Sequence, residues 1–262
     1  MRLTAKLKRD MEKWSKEEYP REACGLIVNI KGKPHLVPCE NKSKDDNQFV
    51  ISPEEYAKVE DEHEIIGVFH SHVNETSRAS EVDRVSCNAS NLPWVILSIY
   101  ENPENGKVEV HDFNVIEPDG FIPPLVGRSF HHGTLDCYGL IRDFYQRELG
   151  IGIPDFERED GWWDKEDSGE LYLENFEKAG FVKIGEDEEL KFGDVILMQY
   201  RSDKTNHGGV YLGDQPLKSQ PELHPLTGVL LHHAMPRLSE RVLYAGYWKD
   251  ITRMVVRHKD LL

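Results

Sequence analysis

Residues 64–83 read EIIGVFHSHVNETSRASEVD, and the first half of that stretch governs how the second is read. EIIGVFHSH (64–72) is a short, β-rich apolar run and predicts a strand. Strand side chains alternate with a period of two, which puts His70 and His72 on one face and Ser71 on the other. Both imidazoles can then reach one metal ion. SEVDRVSCNASNL (80–92) predicts a helix opening at Ser80, with Asp83 one turn in. Asp83 supplies a third ligand and leaves a fourth position for water, as a catalytic zinc site requires. Ser80 and Asp83 also read as a helix N-cap with a first-turn carboxylate, close to a capping box, with no metal involved. A zinc-activated water needs a base that is not itself a ligand. Glu22, in REACGLI (21–27) at the start of an early strand, is the candidate.

Around this stretch the pattern is α+β. Leu7, Met11 and Trp14 in TAKLKRDMEKWSKEE (4–18) have the spacing of an amphipathic helix. ACGLIVNI (23–30) and PHLVPCE (34–40) flank Lys31-Gly32-Lys33 and predict a hairpin. SPEEYAKVEDE (52–62) predicts a helix with Pro53 in its first turn. PWVILSIY (93–100) and KVEVHDFNV (107–115) predict strands joined by the turn-forming ENPENG. EPDGFIPPLVGR (117–128) has three prolines, two glycines and no period, so it reads as a connector with a domain boundary near residue 125. CYGLIRDFYQREL (137–149) then predicts a helix stopped by Gly150, and LYLENFEKAG (171–180) another. GDVILMQY, HGGVYLGD, GVLLHHAM and RVLYAGYW predict a mainly antiparallel sheet.

The chain has 262 residues and a formal charge of −15, with 47 acidic against 32 basic side chains. That length suits two modest domains. The spread of acidic charge argues against a nucleic-acid partner, which needs clustered Lys and Arg. The N-terminus has no apolar signal-peptide core, and no segment approaches the roughly 18 apolar residues of a membrane span. The expectation is a soluble, cytoplasmically made protein. Cys24, Cys39, Cys87 and Cys137 lie far apart with no CxxC pair, which suits neither a disulfide framework nor a cysteine zinc site.

Of the four, Cys137 in LDCYGLIRDFY opens a predicted helix, where N–H groups and the helix dipole favour the thiolate. A lone cysteine is otherwise an ordinary small core residue. His207 in TNHGGVYLGD offers a base, and His232 or His233 in VLLHHA an orienting group, completing the minimum set for thiol acyl transfer.

Glu22 before Cys-Gly-Leu, then His70, His72, Ser80 and Asp83, resembles the JAMM metallopeptidase motif of the MPN domain over roughly residues 1–116. The resemblance implies that His70, His72 and Asp83 bind zinc, that Glu22 is the acid/base, and that Ser80 stabilises the tetrahedral intermediate of amide or isopeptide hydrolysis. Val73 departs from the proline many members carry there. The Asp-Cys helix opening and the His-Gly-x-Val-Tyr-Leu-Gly strand resemble the NlpC-type cysteine peptidases. That implies Cys137 as nucleophile, His207 as base and a later histidine orienting it; Leu230 and Leu231 favour His232, and His233 stays open. Family members commonly carry a tyrosine some dozen residues before the cysteine, and PPLVGRSFHH (123–132) has none.

Together the resemblances imply an α+β fold of two domains. An MPN-like α/β sandwich over 1–116 is followed by a linker over 117–127 and a papain-like NlpC-type domain over 128–262. The fusion is similar to phage tail-tip assembly proteins. This implies a hydrolase made in the host cytoplasm and associated with the tail tip. Its partners would be tail-tip proteins, and its substrates peptidoglycan stem peptides or another tail protein. The alternative is a structural tail-tip scaffold with dispensable or inactive sites, in which Trp162-Trp163 and Tyr247-Trp248 are interface anchors. A cellular isopeptidase fits the second half poorly.

Overall fold

Leu7 and Met11, four residues apart, are fully buried on one side of α1 (Ala5–Glu18), whose N-cap Thr4 accepts from the Leu7 N–H at 3.1 Å. The computed structural model describes residues 1–185 and 187–262, and the chain divides into two units, Met1–Ile122 and Pro123–Leu262.

In the first unit, β1 (Cys24–Ile30) and β2 (Lys33–Cys39) form the predicted hairpin. Its two-residue turn has positive φ at both positions, 52° at Lys31 and 75° at Gly32, as a turn matched to strand twist requires. α2 (Pro53–Glu62), β3 (Glu64–Val73), α3 (Glu81–Ser90), β4 (Trp94–Glu101) and β5 (Val108–Ile116) follow. The sheet order is β2-β1-β3-β4-β5, and of these pairings the parallel one is β3 with β4. A parallel pair needs a crossover, and α3 supplies it. Ile27, Phe69, Val95 and Leu97 pack with α1 on one face of the sheet. Leu26, Val68 and Trp94 pack with Val59 of α2 and Cys87 of α3 on the other. The alternation along β3 therefore places His70 and His72 on the face that α3 covers.

In the second unit, α4 (Cys137–Phe144) opens on Asp136 and is shorter than its pattern predicts. Tyr145–Leu149 continue as a π-helical turn closed by Gly150 at φ 71°. Two buried anchors hold that turn. The Tyr145 hydroxyl donates to the Gly193 carbonyl at 2.5 Å, and the Glu148 carboxylate accepts from the Lys218 and Ser219 N–H groups at 2.6 and 3.0 Å. The helix expected over 171–180 is also short, α5 (Leu171–Asn175), with the chain turning well before Gly180.

Strands β6 (Phe181–Lys183), β7 (Val195–Met198), β8 (His207–Gly213), β9 (Val229–His232) and β10 (Glu240–Leu243) follow, then α6 (Tyr247–Asp250) and β11 (Thr252–His258). RVLYAGYW is thus a strand only at its start and a helix at its end. β6 and β11, absent from the runs singled out above, complete the sheet. All its pairings are antiparallel in the order β10-β9-β8-β7-β11-β6. Leu140, Ile141 and Phe144 of α4 bury against Leu197, Val210 and Leu231 on one face.

The stretch expected as a connector is divided between the units. Asn88 of α3 accepts from the Asp119 and Gly120 N–H groups at 2.8 and 2.9 Å, and Arg84 lies 3.8 Å over the Phe121 ring. Leu125 is buried in the second core, and the Val126 N–H donates to the Gln220 side chain at 2.8 Å. No helix among the described residues is long and apolar enough to cross a membrane.

Candidate active sites

Strand register builds the first site. Cys24 lies opposite His70, and one step along, the Ser71 hydroxyl accepts from the Ala23 N–H while the Ser71 N–H donates to the Ala23 carbonyl, both at 2.9 Å. One further step brings Glu22 alongside His72 on the histidine face. His70 Nε2 and His72 Nε2 are 3.1 Å apart, and Asp83 oxygens lie 3.2 Å from the first and 3.3 Å from the second. Ligand atoms about 2.0–2.2 Å from a tetrahedral zinc stand roughly 3.3 Å from one another. The three donors thus fit one ion.

His72 Nδ1 donates to the Thr76 carbonyl at 2.8 Å, a group that can only accept, so its Nε2 is left to bind a metal. His70 is held by packing instead. Phe49 stacks on it at 4.7 Å and Trp94 meets it edge-on at 5.6 Å, while its Nδ1 has no hydrogen-bond partner among the described residues.

Electrostatics tie these groups together. Burial pushes the Glu22 carboxyl up to about 8, with His72 opposing and Asp83 adding to the rise. Burial pushes the His70 imidazole down, against the pull of Asp83. For His72 burial works the same way but is outweighed by the Asp83 carboxylate and the Thr76 carbonyl, which take it up to about 9. Asp83 is held well below the carboxylate range because both histidines and Ser80 outweigh its burial.

Ser80 fills its expected place as N-cap and also holds the candidate ligand Asp83. It caps α3, accepting from the Asp83 N–H at 3.2 Å, while its own N–H and hydroxyl each donate to Asp83 Oδ2 at 2.7 Å. The capping box therefore aims the carboxylate at the histidines. Val73, the departure from the motif, is buried on the opposite, α1 face with Phe69.

In the second unit Cys137 is the first residue of α4, and Asp136 is its N-cap. The Asp136 side chain accepts from the Gly139 and Gly133 N–H groups, both at 2.8 Å, and from Arg158 at 2.6 Å. His207 opens β8, and His232 ends β9 in register with Gly209, on the same face as His207. His207 Nε2 and His232 Nδ1 are 3.1 Å apart. His233 instead packs edge-on against Phe130 at 5.1 Å, so His232 is the residue brought to His207.

Cys137 and His207 line one cleft of about 160 Å³, together with Tyr172, Trp163 and Met235. No hydrogen bond joins Sγ to His207 among the described residues; Sγ meets the Tyr172 hydroxyl at 3.2 Å. The helix N-terminus does not deliver the expected thiolate. Burial and the adjacent Asp136 carboxylate push the Cys137 thiol up to about 11, with Tyr172 opposing. Burial and the two neighbouring histidines hold His207 well below its ordinary value. The resting pair is a neutral thiol and a neutral imidazole.

Four aromatic residues at this site went unread in the sequence or were read otherwise. Trp248, expected as an interface anchor, packs on His232 with ring centroids 4.2 Å apart, and Tyr200 stacks on Trp248 while lying 5.4 Å from His207. Trp162 is buried rather than displayed. Tyr172 comes from a short helix with no motif around it.

Comparison with known proteins agrees with the two units. Residues 4–110 match the prokaryotic homologs of the JAB domain, and residues 127–257 match the NlpC/P60 family. The tail tip assembly protein K of Escherichia phage N15 is 34% identical over 245 residues, covering 93% of this chain and 90% of its own length. That of Escherichia phage lambda is 34% identical over 209 residues, covering 80% and 89%. A JAB-type unit with three convergent metal-ligand side chains, followed by an NlpC/P60 unit with a cysteine–histidine cleft, places this chain in the family of the tail tip assembly proteins K.

Proposed function

We propose that the chain is a hydrolase with two separate sites, acting at the phage tail tip on amide bonds of peptidoglycan stem peptides or of a tail protein. The convergence of His70, His72 and Asp83, with donor atoms 3.1 to 3.3 Å apart, carries this reading. These three side chains would hold Zn²⁺. A bound zinc supplies a water acidified to near neutrality and polarises the scissile carbonyl. Glu22, buried beside the ligands, would in its ionised form accept a proton and pass it to the leaving nitrogen. Ser80 holds the Asp83 carboxylate through its N–H, and its hydroxyl turns from Asp83 to donate to the oxyanion.

At the second site His207 donates from Nε2 to His232 Nδ1, which leaves the Nδ1 lone pair free for the thiol proton. As Sγ bonds to the carbonyl carbon, that proton passes to His207 and the π pair moves onto oxygen. Collapse of the adduct breaks the C–N bond, and His207 returns the proton to nitrogen. Water then cleaves the thioester and restores the thiol. The protein works among tail-tip proteins, reached from the host cytoplasm during assembly.

The scaffold reading is favoured by one observation: Cys137 Sγ meets the Tyr172 hydroxyl at 3.2 Å, and no hydrogen bond joins it to His207 among the described residues. Incubating defined muropeptides and purified tail proteins with wild type, His70→Ala and Cys137→Ala, read by mass spectrometry, separates the two. Loss of a distinct cleavage in each variant supports the two-site hydrolase. Absence of cleavage by wild type, with both variants still complementing a null phage, supports the scaffold.

A further inference from the structure

The Tyr172 hydroxyl lies 3.2 Å from Cys137 Sγ and lines the same cleft as His207. Its place is made by the residue next to His207. A Cβ on Gly208 would lie 3.1 Å from Tyr172 Cε1, 3.2 Å from the hydroxyl and 2.8 Å from Ile141 Cδ1. The absent side chain thus lets the ring sit between β8 and α4, with its polar end at the nucleophile. Tyr138 meets the same ring edge-on at 6.1 Å.

We propose that Tyr172 is a catalytic residue of the thiol site, donating a hydrogen bond first to the charged sulfur and then to the carbonyl oxygen as the charge moves there. This rests on the reading of Cys137 as a nucleophile. When the thiol proton has passed to His207, the negative charge resides on Sγ, and a phenol O–H at hydrogen-bond distance stabilises it. When Sγ bonds to the carbonyl carbon, sulfur loses that charge and the adjacent oxygen gains it. One donor beside both atoms follows the charge with no proton leaving the phenol, as a preorganised oxyanion donor does. The phenol keeps its proton throughout the working range, because burial and the neighbouring cysteine hold it well above its ordinary value.

Tyr172→Phe removes the oxygen and keeps the ring that fills the space. In the full-length protein, iodoacetamide labelling of Cys137 at pH 9 is expected to slow about tenfold or more, since a hydrogen bond to a charged group has that weight. On any muropeptide or tail-protein substrate cleaved in a Cys137-dependent way, kcat is expected to fall about a hundredfold with little change in KM. Replacing Tyr172 with difluorotyrosine, a stronger donor of the same shape, is expected to speed the labelling.

Unchanged or faster labelling in Tyr172→Phe, with kcat retained, overturns the proposal and leaves the nucleophile reading standing. A wild-type Cys137 that resists alkylation up to pH 11, in a protein whose cleavages all survive Cys137→Ala, removes the nucleophile reading and this proposal with it.

Discussion

The chemistry at Cys137 turns on burial and two neighbours. Burial and Asp136 raise the thiol, and Tyr172 lowers it. With the thiol near 11, the thiolate fraction grows about tenfold per pH unit up to that value. Iodoacetamide labelling of Cys137 is therefore expected to climb log-linearly from pH 7 to 10, where a free cysteine would level off near its ordinary value of about 8.5. Asp136→Asn removes the negative charge and is expected to move the labelling profile to lower pH. In the first unit Ser80 has two duties that one substitution removes together. Ser80→Ala loses the α3 cap and is expected to lower stability by about 1 kcal/mol in a denaturant titration. It also frees Asp83 Oδ2 of its hydroxyl donor, so zinc affinity measured by competition with a chromogenic chelator should fall along with it.

Secondary-structure elements carry the side chains to these positions, and their ends matter more than their middles. α3 is set by its capping box and α4 by Asp136. That carboxylate ties together the helix start, the Gly133 turn and, through Arg158, the loop at 155–158. Asp136 is nearly fully buried and paired, so Asp136→Ala leaves Arg158 with the half-exposed Asp155 as its remaining ionic partner, strips α4 of its cap, and is expected to destabilise the second unit by about 2–4 kcal/mol in thermal or chemical melts. Burial opposes its charge, but Arg158 and the two N–H donors hold its pKa below the ordinary value. This stabilisation is present above the ordinary aspartate value of about 3.9 and is lost as pH falls below it toward the depressed one. α1, the β1–β2 hairpin and β3 are where periodicity and turn chemistry place them, since each repeats a local signal over several residues. β6, with three residues, and β11, whose Thr252–His258 mixes Arg and His with apolar residues, lack that repetition. The sheet defines them by pairing rather than by pattern. α4 ends early for a related reason: buried anchors such as Tyr145 to Gly193 divert the chain from the continuation its apolar spacing suggests.

The whole molecule consists of two units with a candidate site in each, and the sites share no residue. EDTA or Asp83→Asn is expected to remove zinc, read by elemental analysis, without changing the alkylation of Cys137. Coupled loss of both would show that the sites depend on each other. The sequence by itself determined the division into an α+β pair of units and the histidine face of β3, and it offered the candidate ligands and the cysteine–histidine set. Those rest on local rules: alternation along a strand, caps at helix starts, turn residues between runs. Only the tertiary structure decided that Glu22 comes alongside His72, which needs the β1–β3 register across 48 residues between Ala23 and Ser71. By pairing β8 with β9 it brought His232, which the sequence only favoured, against His207 in place of His233. It also set the state of the thiol, because burial and the Tyr172 hydroxyl reach Cys137 only when the second unit packs. Tyr172, unmarked in the sequence, reaches Cys137 from 35 residues away through the space left at Gly208; a contact made by packing leaves no periodic trace along the chain.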